Sequence, residues 1–88
     1  MSIVLLHRHF EKRYAKLPKK TKDAFKERKN LFLENRNNPV LGIHALHGER
    51  KEYKSMNVTG DIRAIYKEIA KEVFLFVDIG SHGELYSS

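Results

Sequence analysis

The chain has 88 residues, no cysteine, and 17 lysines and arginines against 11 acidic residues, a formal charge of +6. That length accommodates one domain, residues 1–88, burying only about 60% or slightly more of its unfolded surface. The missing thiols exclude a disulfide framework and a thiolate metal site. The opening MSIVLLHRHFEKR holds too short an apolar run for a signal peptide or a bilayer span, so a soluble cytoplasmic protein without membrane contact is expected. Its positive charge suits polyanions, namely nucleic acid, acidic protein segments or anionic lipid, without choosing among them.

Ser2 to Leu6 is a short apolar run suited to a strand. Phe10, Tyr14 and Leu17 then recur at spacings of four and three, one face of a helix over about Arg8–Leu17. Pro18 breaks that helix and can begin the next, which runs from Lys19 to about Arg36 with Ala24, Phe25, Leu31 and Phe32 as its stripe. Asn37-Asn38-Pro39 stops it. The lysines of KLPKKTKDAFKERK read as a solvated helical face. Val40 to Glu52 has no sustained period and reads as a loop with at most one helical turn.

Three strands follow in quick succession. Tyr53–Val58 alternates, with Met56 and Val58 on one side and Ser55 and Asn57 on the other. Thr59-Gly60 supplies a turn into Asp61–Glu68, where Ile62, Ala64 and Tyr66 face one way and Asp61, Arg63 and Ile65 the other. Ala70-Lys71 leads into Glu72–Ile79, apolar on both faces and therefore central. Such short turns require antiparallel neighbours. The expected fold is α+β: a small antiparallel sheet with an N-terminal antiparallel helix pair packed on one face. The other face is left for solvent or a ligand.

On that uncovered face and its loops fall His44, His47, Lys51, Lys54, Asn57, Asp61, Arg63, His82 and Tyr86. The set contains no serine triad, and GSHG lacks the spacing of a nucleotide-binding fingerprint. His44 and His47 could share a helical face and hold a metal with Asp61 and His82, but no recognised metal spacing is present. A different chemistry fits the same parts: RNA cleavage by the substrate's own 2'-hydroxyl. The nucleophile arrives with the substrate, so the protein supplies a base, an acid and positive charge. Histidine as a residue type, with an unperturbed pKa of about 6.5, suits both proton transfers. His7 and His9, at the junction of the first strand and first helix, have no evident partners.

HFEKRYAKLPKK, IHALHG, YKSMNVTGDIRAIYK and VDIGSHGELY, in this order, resemble the RelE/YafQ-type toxins of bacterial toxin–antitoxin pairs over nearly the whole chain. The resemblance implies a metal-independent mRNA interferase, an endoribonuclease acting on messenger RNA on the translating 70S ribosome and held inactive by a cognate antitoxin. It implies no cofactor, and a heterotetramer or larger complex with the antitoxin is one expectation. By matching position it implies catalytic roles for His44 (rather than His47), Asp61 and His82. Arg63 matches a residue associated with phosphate charge, and Tyr86 the aromatic closing the motif. Lys51, Lys54, Asn57, Arg63 and Tyr86 are the expected substrate-binding residues. One departure stands out: YafQ-like members carry a catalytic histidine where this chain has Asn57, and an amide cannot shuttle a proton at neutral pH. The competing expectation is a non-catalytic relative that binds RNA, the ribosome or the antitoxin.

Overall fold

Two aromatic stripes decide how the helices sit. In a computed structural model that describes residues 1–86, helix α1 (Arg8–Ala15) presents Phe10, and helix α2 (Lys19–Glu34) presents Phe25 and Phe32. All three are buried against Tyr66, Phe74 and Phe76 of the sheet. The rings meet mostly edge to face: Phe32 lies 5.1 Å from both Tyr66 and Phe74, and Phe25 lies 5.6 Å from Phe76, which adds to the apolar burial itself. His7 caps α1, its Nδ1 accepting the His9 amide at 3.0 Å. Pro18, extended, occupies the cap of α2, where its missing N–H is no loss. Asn35 is extended and ends α2 at Glu34, slightly ahead of the expected stop.

The sheet contains β1 (Ile3–Leu6), β2 (His44–Ala45), β3 (Lys54–Asn57), β4 (Ile62–Ala70) and β5 (Val73–Ser81), in the order β1-β5-β4-β3-β2. The antiparallel meander read from the sequence is β3-β4-β5, and β5 is interior as expected. The finding that local patterning did not reveal is β1, which joins the far side of β5 in parallel, Ile3 opposite Val73 and Leu6 opposite Phe76. The sheet is therefore mixed. A parallel pair needs a long crossover, and both helices and three strands lie between these two strands.

Alternation puts Ile62, Ala64 and Tyr66 toward the helices and Arg63, Ile65 and Lys67 toward the outer face. The pairing shifts between Ile65, opposite Asp78, and Tyr66, opposite Phe76. Val77 is thus the extra residue of a β-bulge, and both Val77 and Asp78 border the outer face. The segment expected to be a loop contains β2 between two short 3-10 helices, Pro39–Leu41 and Gly48–Arg50. Beyond Ser81 the chain does not turn: His82 begins a third helix, α3 (His82–Tyr86).

Glu72, in the β4–β5 turn, is the only non-glycine residue with positive φ (60°) among the described residues. Its carboxylate accepts from the Ser2 hydroxyl and from Arg36 Nη1 and Nη2, each at 3.2 Å. One side chain therefore ties the start of β1 and the end of α2 to the hairpin. The Ser2 hydroxyl first, then Arg36, holds this carboxyl below its ordinary 4.5.

Candidate active site

His44 stands on the edge strand β2, exposed, opposite Ser55. Its Nδ1 lies 3.1 Å from the Gly42 carbonyl and its Nε2 lies 3.2 Å from the Ser55 hydroxyl. A carbonyl can only accept, so the neutral ring carries its proton on Nδ1, and Nε2 presents a lone pair to the buried Ser55. His47 precedes the second 3-10 helix, while His44 is in a strand; the two do not share a helical face.

The loop carrying His44 is seated by Gly42. This residue has φ +52°, the left-handed region, and a Cβ there would lie 2.2 Å from Asn57 Nδ2. Gly42→Ala is expected to destabilise the fold by about 1–2 kcal/mol from the backbone alone, and to displace the Asn57 amide. Urea midpoints measure the first effect; the Asn57 side-chain amide resonances measure the second. An unchanged midpoint would mean that the loop sits elsewhere.

Asn57 pairs with Arg63, and Arg63 with Gly80, so these residues form one row across the outer face. Arg63 Nη1 donates to the carbonyls of Thr59 and Gly60, each at 3.3 Å, which leaves its other N–H groups for an anion. Asp61 is exposed in the same turn, its amide bonded to Thr59 Oγ1 at 3.2 Å. It precedes Ile62, whose partner Ser81 precedes His82. Asp61 and His82 therefore leave neighbouring strands at one end of the sheet.

A reciprocal capping box builds α3. The Ser81 amide donates to Glu84 Oε1 at 2.8 Å, and the Glu84 amide donates to Ser81 Oγ at 3.2 Å. Glu84 also reaches Arg13 of α1 (3.5 Å), and Arg13 reaches Asp78 (3.3 Å). This close approach needs Gly80, whose Cβ would lie 2.7 Å from Arg13 Nη2. His82 is exposed, and its ring lies 4.6 Å from that of Tyr86, one helical turn on.

The Ser81 amide first, then its hydroxyl and Arg13, holds the Glu84 carboxyl below its ordinary 4.5. A carboxyl with a depressed folded value favours folding above its unfolded value, and that contribution disappears as pH falls through the folded value. Glu72 behaves alike. Stability is therefore expected to fall as pH drops below 4.5, and the Glu72→Gln, Glu84→Gln double variant to show a flatter profile. Urea midpoints across an acidic pH series would register both; parallel profiles would refute the assignment.

Two sequence-named lysines separate. Lys51 is exposed at the end of the second 3-10 helix. Lys54 pairs with Tyr66 and borders cavities with Arg36 and Phe74, on the helix-covered side of the sheet. Alternation along β3 puts it with Met56, away from Ser55 and Asn57, so Lys54 does not share their face. Sequence reading missed Arg50, whose Nη1 donates to the Leu85 carbonyl at 3.1 Å. This bond links the loop that follows His44 to the helix that carries His82. His7 and His9 do have partners: His7 caps α1, and His9 Nε2 lies 3.3 Å from Asp78.

No protein-family model matches the sequence, and no curated protein does. Solved structures do match. The crystal structure of YafQ from E. coli is 22% identical with a TM-score of 0.81, covering 99% of this chain and 100% of that one. YafQ in the E. coli DinJ–YafQ toxin–antitoxin complex is 23% identical with a TM-score of 0.78, covering 98% of each chain. The archaeal RelE–RelB complex from Pyrococcus horikoshii is 22% identical with a TM-score of 0.68, covering 93% of this chain and 96% of that one. An α+β sheet with two helices on one face, repeated from end to end in these structures, is the RelE/YafQ-type toxin fold, and this chain has it.

Proposed function

We propose that this protein is the toxin of a toxin–antitoxin pair and an endoribonuclease that cleaves mRNA on the translating ribosome by 2'-hydroxyl attack. The observation that carries the reading is the His44 hydrogen-bond pair. The Gly42 carbonyl fixes the proton on Nδ1, and Nε2 is left as the base. When RNA displaces the Ser55 hydroxyl, Nε2 takes the proton of the 2'-hydroxyl, a role for which Asp61 is the alternative base. The 2'-oxygen attacks phosphorus, the P–O5' bond breaks, and His82 gives its proton to the leaving oxygen. The products are a 2',3'-cyclic phosphate and a 5'-hydroxyl.

Arg63, with N–H groups left over from the turn, Lys51 and the Asn57 amide stabilise the charge on the phosphorane. Tyr86 stacks on a base beside His82. Lys54 is left out of this machinery. An antitoxin is the partner that keeps the chain inactive, as DinJ and RelB accompany the neighbouring folds.

Inducible expression of the wild type and of His82→Ala, with growth and transcript 5' ends followed, tests the reading. Growth arrest with new 5'-hydroxyl ends is expected from the wild type alone; 5'-phosphate ends would refute the mechanism. One feature favours a second reading, a non-catalytic RNA- or ribosome-binding toxin: Asn57 cannot move a proton, and its side chain lies against Gly42. That reading predicts growth arrest without new ends.

A further inference from the structure

The outer face holds a groove of about 570 Å³ that the candidate active site does not use. Ile65, Leu75 and Val77 line it, with Arg50, Tyr53 and Lys67 around them. We propose that this groove binds one nucleotide of single-stranded RNA outside the cleaved linkage, with Tyr53 against the base and Lys67, Arg50 and His7 toward the phosphate. This rests on the ribonuclease reading and adds a subsite to its substrate.

Charge decides first. Among the described residues Asp78 is the only carboxylate lining the groove, and it already has Arg13 and His9 at 3.3 Å and the Ile79 amide at 2.9 Å. What remains unneutralised is cationic. Lys67 Nζ lies 5.2 Å from the centre of the Tyr53 ring, so an aromatic surface and a cation occupy one spot. That pairing suits a stacked base and its phosphate. His7 Nδ1 accepts the His9 amide, so the neutral ring carries its proton on Nε2 as a donor. Arg50 spends one N–H on Leu85 and keeps others.

Size and position agree. The volume falls within the range of roughly 300–1,000 Å³ typical of small-molecule sites. Lys67 and Arg63 lie on the same face of β4, four residues and so roughly 13 Å apart along the strand. The groove and the cleaved linkage would therefore hold different nucleotides of one RNA. An acidic helix of a partner protein would satisfy the charges but make no use of a cation set over a ring.

The test uses the full-length protein and a short 2'-O-methyl RNA, which cannot be cut. Lys67→Ala and Tyr53→Leu should each weaken binding about tenfold, as expected for loss of a stacked base or its phosphate. Lys67→Ala should also flatten the logarithmic salt dependence by about 0.7, one phosphate contact on a single strand. Lys67→Arg should restore both, and Lys26→Ala, at an exposed position of α2, should change neither.

On cleavable RNA, Lys67→Ala should raise KM about tenfold with kcat within about twofold of wild type. Unchanged affinity in Lys67→Ala and Tyr53→Leu would overturn the proposal. So would a poly-glutamate peptide that binds more tightly than the RNA and is lost in the same variants, which would make the groove a protein-docking surface. Because the probe is uncleavable, a protein that binds it through Lys67 yet cuts no RNA would leave the groove standing and remove the nuclease reading.

Discussion

On the proposed ribonuclease mechanism, His82→Ala is expected to slow RNA cleavage at least about 100-fold while leaving the protein folded. The rate effect follows from removing a positioned proton donor, which typically contributes about 10²- to 10⁴-fold. The fold is spared because His82 is exposed and because Ser81 and Glu84, not His82, cap α3. What the variant loses structurally is the ring contact with Tyr86 at 4.6 Å, about 0.5–1.5 kcal/mol at most. Single-turnover rates on translated message, with end groups mapped, measure the effect, and a urea midpoint on the same preparation shows that the fold is intact. A rate within a few-fold of wild type would remove His82 from the mechanism.

Phe76→Ala should have the largest effect on stability, about 3–5 kcal/mol. The side chain is fully buried, and its ring lies 5.0 Å from Tyr66, 5.5 Å from Phe32, 5.6 Å from Phe25 and 6.0 Å from Phe10. Both helices and the neighbouring strand meet on this one residue. Truncation removes its apolar burial and leaves a hole that rings from three elements cannot all move to fill. Domains of this kind are stable by only about 5–15 kcal/mol, so the variant should melt far earlier or fail to fold. Phe76→Leu, which keeps most of the volume, should be milder. Urea midpoints rank the two; equal midpoints for Phe76→Ala and wild type would show that the aromatic cluster is not the core.

What the sequence made legible follows from where each signal resides. The stripes of Phe10, Tyr14, Phe25 and Phe32 and the break at Pro18 are local, so both helices were readable. So was the alternation along β4. The parallel pairing of β1 carries no local signature, because its partner lies some 70 positions on. The last helix had a signal that went unread: Ser81 and Glu84 have capping-box spacing, but the intervening His82-Gly83 suggests a turn.

Lys54 was misplaced although the period of two on β3 assigns it to the side of Met56. The candidate site was legible only as residue types. His44, Asp61 and His82 could be named, but the tautomer of His44 depends on the Gly42 carbonyl and the Ser55 hydroxyl. Neither can be aimed without the fold. The same holds for the partners of His7 and His9 and for the link from Arg50 to Leu85, which join distant parts of the chain.

The parallel seam between the first and last strands has a consequence for biosynthesis. A nascent polypeptide halted before residue 73 offers Ile3–Leu6 no seat, and Phe10, Phe25 and Phe32 no Phe74 or Phe76 to close upon. Such long-range closure comes late in folding. The scaffold that orients His82 therefore assembles only once β5 has emerged from the ribosome.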